Sequence, residues 1–280
     1  MTIRRFLVGA VTALAALSSI APAHAAPVGK YVAIGDSSTA VGSPTEINFS
    51  NFESVSCGRS KDNYPNQIAW QLGMPLADVS CAGAVVGHYW NARSKAGQIV
   101  PAQRDAIGPD TGLVTIQMGA NPKFVSHVAP LCSQAVLGSS GNCAPMGAVV
   151  NRGALAEQLT EIVRDARFRA APGAAIVLLG YLDPLGNPDA SCFFTGFMSP
   201  EDKRGLQAYI GSVNSVMSEV AAREGVTYVA PPAEASGWCA QPGHRDFSPL
   251  GFSSFDNAFP LHPTNQGHIR LANQVVAAVR

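Results

Sequence analysis

Tyr31-Val32-Ala33-Ile34-Gly35-Asp36-Ser37-Ser38 decides the fold. Four apolar residues run without interruption into a glycine, and then into residues that favour turns and helix caps. A strand with one wet face would alternate polar and apolar residues, whereas an unbroken run fits a strand covered on both sides. The same transition recurs along the chain. Leu76–Ser80 leads into Cys81-Ala82-Gly83, and Leu113–Ile116 leads to Gly119-Ala120-Asn121. Ala175–Leu179 leads into Gly180-Tyr181, and Val226–Val229 into Pro231-Pro232. Helical patterns lie between these runs: Tyr64–Leu72, a Leu155/Leu159/Ile162/Val163 stripe, Pro200–Arg223 capped by Ser199, and Thr264–Val279. Strands alternating with helices predict a three-layer α/β/α sandwich with about five parallel strands.

Working outward from that stretch, the first 25 residues read as an export signal. Arg4 and Arg5 precede an apolar run over Phe6–Ile20, and Ala23-His24-Ala25 offers the small residues a signal peptidase accepts. The run is short for a membrane span of roughly 20 residues. The arginine pair sits one residue too close to Phe6 for the usual twin-arginine spacing, so ordinary secretory export is expected. Without Arg4 and Arg5, the 19 basic residues fall to 17 against 19 acidic ones. Such a balance offers neither the clustered cations that nucleic acid requires nor a polybasic anchor for an anionic membrane. No repeat or linker divides residues 26–280, which are expected to form one secreted, monomeric domain.

All six cysteines, Cys57, Cys81, Cys132, Cys143, Cys192 and Cys239, lie beyond the signal. An even number in an exported chain implies disulfides, and the sequence leaves fifteen pairings open. No C-x-x-C occurs, so structural zinc has no support. Three segments exceed ordinary loop length: Thr39–Asn63, Lys123–Val150 and Leu182–Ser199. Each follows the carboxyl end of an expected strand, where open α/β sheets bind their ligands.

G-x-S-x-G, P-loop and H-E-x-x-H motifs are all absent. The first strand instead delivers Ser37 on rigid backbone at the ligand-binding edge, although a serine there can equally be a plain cap. Gly83 and Asn121 follow two further strands and should open onto the same edge. Acyl transfer needs donors aimed at a developing oxyanion, and the N–H groups of Ser37 and Gly83 with the Asn121 amide would supply three. Gly83 alone would be a turn residue, and Asn121 alone a cap. Among the histidines, His262 stands on a loop before the final helix and could return to the first strand. His268, inside that helix, reads as packing.

Taken together, Gly35-Asp36-Ser37, Gly83, Gly119-Ala120-Asn121 and His262-Pro263 resemble the four blocks of the SGNH (GDSL) hydrolases, in order, over residues 30–280. The resemblance implies a flavodoxin-like fold and hydrolysis of carboxylic esters through an acyl-enzyme, without metal or organic cofactor. Ser37 would be nucleophile, His262 base and then acid, and Ser37, Gly83 and Asn121 oxyanion donors. Similarity to the secreted actinobacterial esterases and lipases of the family also implies consecutive pairing of the cysteines: 57 with 81, 132 with 143, and 192 with 239.

Two positions depart from the family pattern. Phe259 stands where an aspartate usually precedes the histidine by three residues, so a main-chain carbonyl, that of Phe259, is expected to orient the ring, with Asp256 as the rival acid. Pro122 follows Asn121 where many members have Asp, a change expected to alter only the local turn. Tyr89, Trp90, Phe193, Phe194 and Phe197 are candidate substrate walls; core packing is the competing reading for each. Apolar walls would favour lipid or fatty esters, while small polar ones would favour deacetylation of polysaccharide. A non-catalytic module that keeps the fold is the third possibility.

Overall fold

The computed structural model describes residues 27–121, 132, 142–187, 189–196, 198–233, 236–249 and 256–280. The expected export signal, Phe197 and most of the Lys123–Val150 segment, with Pro122 and His127, lie outside the described residues. Strands β1 (Lys30–Gly35), β2 (Leu76–Asp78), β5 (Thr111–Gln117), β6 (Ala175–Leu179) and β7 (Thr227–Val229) form one sheet in the order β2-β1-β5-β6-β7. Every neighbouring pair is parallel. Tyr31 sits opposite Leu76 on one side and Leu113 on the other. All seven residues of β5 are buried, which is why this strand reads as an apolar run and not as an alternation.

A further pair, β3 (Arg93–Lys95) and β4 (Gln98–Val100), forms a small antiparallel hairpin that the sequence reading did not anticipate. Its strands are three residues long and mostly polar. The turn places Ala96 at φ +48° and Gly97 at φ +78°, and an alanine there sends no turn signal.

Helices α1 (Ser37–Ala40), α2 (Phe52–Cys57), α3 (Tyr64–Leu72), α4 (Gly87–Trp90), α5 (Arg152–Arg169), α6 (Pro200–Glu224) and α7 (Asn265–Val279) follow in chain order. The long ones begin on side-chain caps. Asn63 accepts from the Asn66 N–H ahead of α3, Ser199 from Asp202 ahead of α6, and Thr264 from Gly267 ahead of α7. The chain steps from β1 to β2 on one side and returns through β5, β6 and β7 on the other. With right-handed crossovers this reversal places the α3/α7 pair and the α5/α6 pair on opposite faces of the sheet. The reversal also opens a crevice beyond the carboxyl ends of β1 and β5, the switch point where such sheets bind ligands. No described helix is long and apolar enough to cross a membrane.

Three disulfides join Cys57 to Cys81, Cys132 to Cys143 and Cys192 to Cys239. This is the consecutive pairing expected from the resemblance.

Candidate active site

At the end of β1 the backbone turns straight into α1. Asp36 is the cap: one carboxylate oxygen accepts the Ser38 N–H at 2.9 Å, the other the Tyr181 hydroxyl at 2.7 Å. Ser37 is the first residue of the turn. Only glycine fits before it, because a Cβ on Gly35 would lie 2.0 Å from the Thr39 hydroxyl oxygen. Burial raises the Asp36 carboxyl to about 6, against the pull of the Tyr181 and Ser38 hydrogen bonds.

The turn after β2 is fixed from several directions. Cys81 donates its N–H to Gly35 and Ala82 donates to Cys57, while the 57–81 disulfide ties the same segment to α2. Gly83 sits at φ +75°, which L-residues adopt only with strain. Among the described residues, the N–H groups of Ser37 and Gly83 have no protein acceptor. Asn121 follows β5 and is buried. One of its two amide hydrogens bonds the Ala84 carbonyl at 3.1 Å, leaving the other for a ligand. Gly119 is required two residues earlier, since at φ +130° a Cβ would also press on Leu155 at 3.0 Å.

His262 precedes α7, and its carbonyl accepts the Ser248 N–H at 2.8 Å. Nδ1 lies 2.7 Å from the carbonyl of Pro260, not that of Phe259 as expected from the sequence. The reason is backbone geometry. Leu261 adopts φ +59°, which folds the chain back so that the carbonyl two residues upstream faces the ring. A carbonyl can only accept, so Nδ1 carries the hydrogen and Nε2 keeps its lone pair. Burial lowers the imidazole from its usual value, with the Pro260 bond opposing. Asp256 is committed elsewhere: its oxygens accept from Gly243 N–H at 2.8 Å and Arg245 at 2.6 Å.

Ser37, Gly83, Asn121 and His262 all line one cleft of about 310 Å³, together with Asp36, Tyr181 and the apolar side chains of Leu182, Ile210, Phe247 and Leu261. A second cavity, of about 250 Å³, also borders Asn121 and is walled by Val85, Val86, Val149, Val150 and Leu155.

The four described aromatic candidates do not line the cleft. Tyr89 is fully buried and donates to Asp165 at 2.8 Å, while the Arg104 guanidinium stacks 4.5 Å from the ring of Trp90. Phe193 projects into solvent, and Arg245 covers Phe194 at 5.3 Å. These rings follow the key residues in sequence, but the chain turns away before reaching them. The walls that sequence reasoning missed come from elsewhere. Tyr181 and Leu182 follow the carboxyl end of β6, a position that the switch-point argument could have flagged. Ile210 and Phe247 gave no such signal.

A model of the GDSL-like lipase/acylhydrolase family matches residues 33–270. Lipase 2 of Streptomyces coelicolor is 31% identical over 274 residues, which covers 93% of this chain and 89% of that one. An esterase of Streptomyces scabiei is 32% identical over 142 residues, 48% of this chain and 41% of its own. Among solved structures, phospholipase A1 of Streptomyces albidoflavus superposes with a TM-score of 0.68 at 23% identity, covering 90% of this chain and 98% of that one. The extracellular lipase of Streptomyces rimosus gives 0.68 at 24% identity, covering 90% and 99%. The chain therefore belongs to the GDSL-like lipase/acylhydrolase family and is an ester hydrolase.

Proposed function

We propose that this protein is a secreted esterase or lipase acting on apolar carboxylic esters, with a Ser37–His262 dyad. One observation carries the reading: Ser37, Gly83, Asn121 and His262, far apart in sequence, line a single cleft. His262 Nε2 takes the Ser37 proton as Oγ attacks the ester carbonyl carbon. The resulting oxyanion is received by the N–H groups of Ser37 and Gly83 and the free Asn121 amide hydrogen. Collapse breaks the bond to the alcohol oxygen, which leaves with the proton from Nε2. Water, deprotonated by the same nitrogen, then releases the acid and restores Ser37. The Pro260 carbonyl fixes tautomer and ring orientation, with less stabilisation of imidazolium than a carboxylate would give.

The cleft walls favour acyl groups longer than acetyl, and the cavity across Asn121 has room for a second apolar arm. The names of the relatives, lipase and phospholipase A1, agree with this. Structural likeness also extends to an acetylxylan esterase at a TM-score of 0.51 and 16% identity, but deacetylation of a glycan would call for a polar cleft. Three disulfides and the leader-like first 25 residues support export.

A p-nitrophenyl ester series from acetate to palmitate tests the proposal. Turnover should peak beyond acetate, and Ser37→Ala should lose at least about 10⁴-fold in kcat together with labelling by a fluorophosphonate. Labelling that persists in Ser37→Ala would reject the assignment of the nucleophile. A preference for acetate would reject the apolar substrate class.

A further inference from the structure

The β3–β4 hairpin delivers two cations to the turn that carries Gly83. Arg93 spans it with both terminal nitrogens: Nη1 donates to the Gly83 carbonyl at 3.0 Å and Nη2 to the Ala82 carbonyl at 2.9 Å. Lys95 Nζ donates to the Ala82 carbonyl as well. The Ala82 carbonyl and the Gly83 N–H belong to the same peptide unit. We propose that Arg93 and Lys95 are positioning residues that polarise the Ala82–Gly83 peptide, so that its N–H becomes a stronger donor to the oxyanion. This rests on the reading of Gly83 as an oxyanion donor.

The effect is electrostatic. Drawing electron density toward the carbonyl oxygen leaves the amide hydrogen more positive, and hydrogen bonds in series strengthen one another. The cations themselves then stand about 8 Å from the oxyanion, the length of one peptide unit and two hydrogen bonds. At an intermediate effective dielectric, one charge at that range alters the rate by about tenfold. Because this charge acts on the developing anion and not on the neutral ester, it changes kcat more than KM.

The surroundings are unusual for a pair that only staples a turn. Both side chains are half-buried, and among the described residues neither forms an ion pair with a carboxylate. Among the described residues, His88 is the titratable group that both cations act on, and its imidazole is held down by burial and by both of them. Burial, with Arg93 next to it, lowers Lys95 to about 8. The fold therefore holds two like charges together without a counter-ion among the described residues, and directs them at carbonyls of the turn that carries Gly83. The protonated lysine is the active form, so kcat should fall as pH rises through about 8.

Lys95→Met tests the proposal, with p-nitrophenyl butyrate as a neutral substrate and an alkyl trifluoromethyl ketone as mimic of the tetrahedral adduct. Expected are a loss of about tenfold in kcat, KM within about twofold, and a ketone inhibition constant weakened in parallel. The alkaline limb near pH 8 should vanish. Lys95→Arg should restore kcat and hold it to higher pH. Equal kcat and an unchanged alkaline limb in Lys95→Met would overturn the proposal, as would a defect confined to KM for anionic esters, which marks a headgroup site. A fall in melting temperature that Lys95→Arg cannot reverse, with normal kcat on the folded fraction, would also overturn it. Fluorophosphonate labelling of the wild type separates these results from failure of the hydrolytic reading: an unlabelled wild type means the serine assignment is wrong, whatever Lys95 does.

Discussion

At the scale of single residues, the proposed mechanism turns on which nitrogen of the His262 imidazole is bare. The Pro260 carbonyl settles it by accepting from Nδ1 at 2.7 Å. The sequence showed that a carboxylate was missing from position 259, so that a carbonyl was expected there, with Asp256 as the rival. Which of two successive carbonyls faces the ring depends on the φ of Leu261, at +59°, and leucine carries no signal for that conformation. Asp256 lay close enough in sequence to compete, and its bonds to the Gly243 N–H and to Arg245 remove it. Asp256→Asn should therefore leave kcat within about threefold. It should destabilise the fold by about 3 kcal/mol, since Arg245 is left buried and uncompensated. Denaturant titration beside steady-state kinetics checks both, and a 10⁴-fold loss of turnover in the folded variant would restore Asp256 as a catalytic acid. The lowered imidazole of His262 also sets a pH dependence. As the proposed base it works when neutral, so kcat/KM should climb along an acid limb centred below 6.5, the ordinary histidine value.

At the scale of elements, five apolar runs became five strands, because residues buried on both faces leave an unbroken apolar record. The β3–β4 hairpin left none, being short, polar and turned through Ala96. Tyr89 and Trp90 misled for a related reason. Nearness to Gly83 in sequence counts for little once α4 directs them toward Asp165 and Arg104. His268 illustrates the opposite case, a histidine read as packing that also joins elements. Its Nδ1 accepts the Tyr64 N–H at the start of α3, and its Nε2 donates to the Val41 carbonyl just past α1. Protonating Nδ1 would break the bond from Tyr64; burial lowers the ring's affinity for a proton, against the opposing pull of the Val41 carbonyl. An unfolded chain takes up that proton below about 6.5, so the stability this histidine contributes is full above that pH and lost as pH falls. Asp36 acts with the opposite sign. Its carboxyl is raised to about 6, so the folded state keeps a proton that the unfolded chain has released, and stability declines as pH rises toward 6. The two slopes offset each other in the wild type. His268→Gln should remove one of them. Between pH 7 and 5 the melting temperature of this variant should drop by about 5 °C less than that of the wild type, read by calorimetry. Parallel curves would mean the ring takes up its proton without opening the α3–α7 contact.

At the scale of the whole molecule, the three disulfides differ in what they hold and in how far a reductant can reach them. Cys57–Cys81 and Cys132–Cys143 are buried, whereas Cys192 and Cys239 are only half-buried. The exposed bridge joins the segment after Leu182 to the one that carries Phe247, and both of these side chains are cleft walls. The buried 57–81 bridge instead holds the turn that carries Gly83, the proposed oxyanion donor, against α2. Closing each loop stabilises the fold by about 3–4 kcal/mol in the chain-entropy picture, but the bridges should not open together. A thiolate must reach the sulfur it attacks, so mild dithiothreitol should open Cys192–Cys239 first. Alkylation with mass mapping should then find residues 192 and 239 modified while far-UV circular dichroism is unchanged. At that stage KM for a long-chain ester should rise several-fold with kcat within about twofold, because the walls loosen and the donors stay in place. Cys57 and Cys81 should become reactive only as the sheet unfolds, when kcat and ellipticity fall together. Labelling of residues 57 and 81 ahead of 192 and 239 would contradict this order. So would a kcat that collapses while only the exposed bridge is open, since the 192–239 pair would then be supporting the oxyanion donors as well as the walls.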